Sequence, residues 1–143
     1  MEKHIGVTDA AGERFYRAFH DKGPVVMLNL LKFKEQADYV GLEHLKPSSE
    51  ISGVKAYRIY MKFTQPLIEK AGSQVLFYGS SKHFLIGPDD EQWDSVLLVS
   101  HPSVESFMAF AQDPEYLKTM GHRTAALEDS RLLPITEFHK WKK

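Results

Sequence analysis

Two segments, VVMLNLLKFK at residues 25–34 and SVLLV at residues 95–99, are apolar at almost every position rather than at every second one. Side chains of a strand point alternately to opposite faces, so a strand of this kind must be covered on both. A sheet with one face packed on helices and the other in water would show polar alternation instead. The missing cover is most simply a second sheet, that of an identical subunit, so the sequence predicts a homodimer formed through sheet faces.

The length of 143 residues suits one domain with one core, and a chain of roughly 150 residues buries about 68–70% of its unfolded surface. The hydrophobic fraction of 43%, charged fraction of 26% and net charge of −1 are those of a globular protein with no broad cationic surface. Nucleic acid is therefore not an expected partner. The basic cluster HKWKK at the end reads as a solvated tail. With no cysteine there is no disulfide framework, thiolate nucleophile or cysteine-ligated zinc. The opening residues carry no secretory pattern and no run reaches the roughly 18 apolar residues of a membrane helix, so the expected location is the cytoplasm and no membrane contact is expected.

Around the two apolar runs the pattern alternates. Residues 8 to 21 predict a helix capped by Thr8 or Asp9, with Phe15 and Phe19 on one face and Gly23-Pro24 as its stop. Residues 35 to 52 are polar and read as a long loop, of the sort that forms gates or binding loops. Residues 53 to 71 predict a helix with apolar side chains at 56, 60, 63, 67 and 71, bent at Pro66 and stopped by Gly72. SQVLFYGSSKHFLIG (73–87) and WDSVLLVSH (93–101) predict a hairpin turning at PDDEQ, with a bulge or bend near Gly79. Ser103 caps a short helix, Asp113-Pro114 restarts it, and HRTAALED (122–129) supplies its last turns. SRLLPITEF is the final strand, and Pro134 confines it to an edge.

After the leading helix the order is strand, helix, strand, strand, helix, strand. That is a ferredoxin-like α+β fold, βαββαβ, with a four-stranded antiparallel sheet whose first and third strands are central. The chain is read as a single domain: a helical extension at 1–23, a core at 24–136 and a tail at 137–143. VMLNLLKF, the tyrosine-bearing helix ending PLIEKAG, IGPDDEQWDSVLLVSHPS, DPEY and HRTAALEDSRLL together resemble the family called domain of unknown function 1330, within the dimeric α+β barrel superfamily. The resemblance covers roughly residues 24 to 135. It implies a subunit that dimerises through its sheets and brings no established reaction, because fold analogy leaves function open. Its wider relatives include cofactor-free monooxygenases, haem-degrading enzymes, lactone isomerases and binding modules.

Chemistry is sought first at Asn29, which shares a strand face with Val25, Met27, Leu31 and Phe33. Burying an amide without partners costs roughly 1–3 kcal/mol. Asn29 therefore either bonds neighbouring backbone or lines a pocket where it steadies a ligand carbonyl or oxyanion. His122 is the candidate general base, its pKa set near neutrality by an adjacent cation and a nearby carboxylate, with Arg123 or Arg131 holding an anionic group, against a reading in which the histidine is exposed at a helix start and the arginine beside it pairs with Asp129 or Glu128 for structure. Tyr57 and Tyr60, three residues apart, either pack the core or put hydroxyls into an apolar cavity. Trp93 either packs a strand end or walls an aromatic ligand. No HExxH, phosphate loop, GxGxxG or GxSxG occurs, so no metal, nucleotide or other cofactor is expected. Three functions stay open: an acid/base enzyme acting on a compact carbonyl or aromatic acid, a non-catalytic dimeric binding or stress-associated module, and a haem-degrading monooxygenase using Asn29, Trp93 and His122.

Overall fold

The computed structural model describes residues 2–138, which leaves all but the first two residues of the predicted tail outside it. The elements are α1 (Asp9–Phe19), β1 (Val25–Phe33), α2 (Gly53–Lys70), β2 (Gln74–Ser80), β3 (Ser95–His101), α3 (Val104–Ala111), α4 (Pro114–Thr119), α5 (Gly121–Ala126) and β4 (Leu127–Ile135). The strands form one antiparallel sheet in the order β2-β3-β1-β4. The two runs that are apolar on both faces are its central strands, and Pro134 lies on an edge strand where its missing N–H interrupts no inner ladder.

One face of the sheet carries the core. Val25, Met27 and Leu31 of β1 and Leu97 and Val99 of β3 are buried on that side. Ala56, Tyr57, Tyr60 and Ile68 of α2, with Ala125 and Ala126 of α5, close the cluster. Helix α2 forms because Ser52 caps it, its hydroxyl accepting from the Lys55 N–H. Its buried stripe is Ala56, Tyr57, Tyr60, Thr64 and Ile68. That stripe is rotated by one residue from the predicted 56, 60, 63, 67 set, and Phe63 is 49% exposed. The opposite, outer face has no helix. There Val26, Leu28 and Leu30 stand beside Val96 and Leu98, flanked by Phe77 and Leu133, which are more than half exposed.

Three expectations change. The bulge in β2 falls at Leu76, between Val75 and Phe77, rather than at Gly79. Gly79 instead makes room for Phe77, whose ring would lie 2.7 Å from a Cβ there. HRTAALED divides: α5 ends at Ala126 and β4 begins at Leu127, three residues earlier than the pattern suggested. The 35–52 loop is a packed segment and no free flap. Ala37 N–H donates to Ile51, Asp38 N–H donates to Ala125, and Leu42 and Leu45 pack against Gly121. Such a loop meets its backbone's hydrogen-bonding demand within the protein. Its start and end are bound together where Gly53 N–H donates to the Lys34 carbonyl.

A Cβ at Gly53 would sit 2.2 Å from Lys34 O and 2.7 Å from Ala126 O, both backbone atoms that cannot swing away. Gly53→Ala is expected to destabilise the protein by roughly 3 kcal/mol, as overpacking against rigid atoms does. Urea unfolding measures it, and a midpoint equal to wild type would contradict this packing. His101, at the end of β3, is buried between Phe107 and Phe110 and bonded through Nδ1 to the Ser73 hydroxyl at 2.7 Å. Burial lowers its pKa to about 4. The unfolded chain then takes up a proton before the folded one does, so this contribution is complete above about pH 6.5 and is lost as pH falls toward 4. A pKa difference of this size corresponds to roughly 3 kcal/mol. His101→Asn should flatten that part of the stability profile between pH 7 and pH 4.5, and an unchanged slope would refute the assignment.

Candidate functional site

One cross-strand row of the sheet faces the helices beside the core tyrosines. Tyr78, Leu97 and Asn29 are aligned neighbours on β2, β3 and β1, and Leu132 of β4 completes the row. All four point to the helix side, because register partners share a face. Above the row the Tyr57 ring lies 6.4 Å from Tyr78, 5.3 Å from Phe33 and 5.1 Å from Tyr60. Tyr60 reaches Tyr116 of α4 through a hydroxyl to hydroxyl bond of 2.8 Å. Burial raises the pKa of Tyr57, Tyr60 and Tyr78 above the usual tyrosine value, so all three are neutral O–H donors at neutral pH. The charge of Arg123 opposes that rise at Tyr57 and Tyr60, which sets the guanidinium within electrostatic reach of both.

Arg123 itself is partly buried. It donates to the Ile5 carbonyl at 2.7 Å and to the Ser130 hydroxyl at 3.5 Å. No carboxylate among the described residues forms an ion pair with it. The Tyr57 side chain is 1% exposed, and its hydroxyl has no hydrogen-bond partner among the described residues. A guanidinium that has only neutral acceptors, beside neutral hydroxyls, favours an oxyanion: charge-assisted hydrogen bonds are roughly twice as strong as neutral ones.

Asn29 answers half of the question its position raised. Its amide nitrogen donates to Leu97 O at 3.1 Å and to Met27 O at 3.4 Å, so backbone takes up the N–H groups. Its side chain is partly exposed, and its carbonyl oxygen has no described partner. Consecutive helical residues point about 100° apart, and the consequence is visible on α5. Arg123 reaches the N-terminal segment and β4, while His122 turns to α2 and the 35–52 loop. His122 Nδ1 meets the Tyr39 hydroxyl at 2.7 Å, and its ring stacks on Phe63 at 6.0 Å. Burial, then the field of His44, lower its pKa, so the ring is neutral at neutral pH. The neighbours expected to tune it are occupied otherwise. Arg123 serves Ile5, and Asp129 takes the His4 N–H and Arg131. Arg131 also lies over the Trp93 ring at 5.0 Å, and Trp93 bonds Glu91.

The candidate residues thus fall into separate groups: Tyr57 and Tyr60 with Arg123, His122 with Tyr39, Trp93 with Arg131, and Asn29 on its backbone acceptors. Asn29, Trp93 and His122, the trio required by haem degradation, share no hydrogen bond or ring contact. A cleft of about 350 Å³ lies within the 35–52 loop, lined by Tyr39, Asp38, Glu43, Lys46 and Glu50 among others, and none of the predicted site residues lines it. Tyr39, Tyr78 and Tyr116 were missed by the sequence reading. DPEY at least marks Tyr116 as the first-turn residue of a capped helix, whereas nothing local distinguishes Tyr39. Among the described residues no group of three His, Asp or Glu side chains could hold a metal ion, and no helix is long and apolar enough to cross a membrane.

Comparison with known proteins agrees with this architecture. The model of the domain of unknown function 1330 family matches residues 48–135, and the chain belongs to that family. A methylated form of RPA0582 is 34% identical, with a TM-score of 0.85 over 99% of this chain and 100% of that one. RPA0582 from Rhodopseudomonas palustris, a protein of unknown function, is 36% identical, with a TM-score of 0.83 over 96% of this chain and 98% of that one. A protein from Bacteroides fragilis described as dimeric, of unknown function and ferredoxin-like fold, is 12% identical, with a TM-score of 0.50 over 80% of this chain and 96% of that one; it shares the fold alone. No curated protein matches.

The bond between the Tyr60 and Tyr116 hydroxyls links α2 to α4. A double-mutant cycle with Tyr60→Phe and Tyr116→Phe should return a coupling of roughly 1 kcal/mol in unfolding free energy. Additive effects of the two substitutions would show that the pair is not formed.

Proposed function

We propose that this protein is a homodimer that binds a compact organic acid between its sheet and helices, with Arg123 holding the carboxylate and the hydroxyls of Tyr57 and Tyr60 donating to the ligand's oxygens. The observation that carries this reading is the partly buried Arg123, with only neutral acceptors, beside the lone Tyr57 hydroxyl. Asn29 supports it: with its N–H groups committed to backbone, the open lone pairs of its carbonyl accept a ligand N–H or O–H. The outer sheet face supports the dimer, since Leu28, Leu30 and Leu98 on the central strands and Phe77 and Leu133 beside them form one apolar surface. Composition supports a cytoplasmic location.

Catalysis is a second reading, favoured by His122. A neutral imidazole oriented by the Tyr39 hydroxyl is ready to accept a proton at neutral pH. Because His122 and Arg123 diverge on α5, this reading requires a ligand long enough to reach both.

The test is thermal-shift and calorimetric titration with benzoate, phenylacetate and small 2-oxo acids. At least one should bind wild type, and Arg123→Gln should weaken it roughly 10- to 100-fold, the loss expected for a charged hydrogen bond. If no acid of the panel binds wild type, or if the variant binds equally well, the anion site is refuted.

A further inference from the structure

Between β2 and β3 the chain does not turn at once. It continues as a ribbon from Ser81 to Asp94, held by Ser81 N–H to Asp94 O, Trp93 N–H to Lys82 O and an antiparallel bridge between His83 and Gln92. Trp93, 3% exposed under the Arg131 guanidinium, anchors its base. At the tip the Phe84 ring folds back over Gly87, where a Cβ would lie 2.6 Å from it. Leu85 and Ile86 are thereby left 100% and 92% exposed. Two adjacent large aliphatic side chains with no cover, on a ribbon whose backbone is already ordered, are an unusual arrangement. Burying each is worth roughly 1.5–3 kcal/mol, and the ordering that docking would otherwise cost is already complete.

The dimensions of the sheet indicate what covers them. Strands of seven to nine residues in a four-stranded sheet present a plan area on the order of 500 Å², from about 3.4 Å per residue and about 4.8 Å between strands. A stable interface buries roughly 800 Å² per partner. A footprint of this size leaves the ribbon beside the sheet free to add to the contact. The charges fit as well: Asp89 and Asp90 on the return limb, and Lys32 on the outer face, form no ion pair within the described subunit. From the exposed tip, the short sheet and these unpaired charges we infer that the 82–92 ribbon is an arm that clasps a second copy of this chain, seating Leu85 and Ile86 on the apolar surface of the partner subunit. The inference rests on the homodimer proposed above and adds to it a second element of the contact.

The full chain carrying Leu85→Ser and Ile86→Ser should keep the wild-type circular dichroism, since neither side chain touches its own core, while its melting temperature should fall only as far as the weaker association removes stability from the dimer. Sedimentation over a concentration series should show its dimer dissociating at least tenfold more readily than wild type, and dissociation in both should rise with salt. A wild-type dimer matched in affinity by the variant overturns the arm and leaves the sheet contact standing. A wild-type protein that is monomeric throughout the series overturns both.

Discussion

A central strand with no polar face has to be enclosed twice, and most of this molecule follows from that demand. On one side α2 and α5 meet it, which fixes where tyrosines and arginine can gather. On the other side β1 and β3 present Leu28, Leu30, Val96 and Leu98 to whatever lies opposite. The helix layer and the proposed assembly are therefore two answers to the same hydrophobic requirement, which scales with apolar area removed from water and has no preference for partners from the same chain.

Within the helix layer the polar groups are few and unevenly matched. Tyr57, Tyr60 and His122 are held in their neutral forms by burial, and the charge beside the two tyrosines is that of Arg123. Low polarity strengthens that charge's attraction for an anion and raises the cost of leaving it unanswered. Under the proposed reading the site would hold a negatively charged molecule more readily than it would rearrange protons, because the His122 imidazole lies on a different side of α5 from Arg123.

The fold was legible in the sequence because its signals are local or periodic. Apolar runs set the central strands, Thr8 and Ser103 announced their helices by capping, and Pro134 named an edge. The site was legible only in its residue types. Tyr57, Tyr60 and Arg123 were recognised as candidates, but their grouping depends on α2 lying over α5, which no spacing within either segment encodes. His122 and Arg123 look like one unit in a line of text and part by a quarter turn in a helix. The loop expected to gate the site is pinned by contacts to residues some 75 to 90 positions away, Ala125 and Gly121, an outcome that polarity alone does not foretell.

The N-terminal strap has a consequence of its own. Ile5 lends its carbonyl to Arg123, while His4 bonds Asp129 and Ser130 on the neighbouring strand. A peptide oxygen thus occupies one prong of the same fork that an incoming acid would grip. By thermodynamic reciprocity, whatever a guest loses by displacing that oxygen, the strap loses in attachment. For the acid proposed above, the leading segment would in this way be a built-in competitor, and the firmness with which the protein ties down its own beginning would set how readily it accepts a visitor.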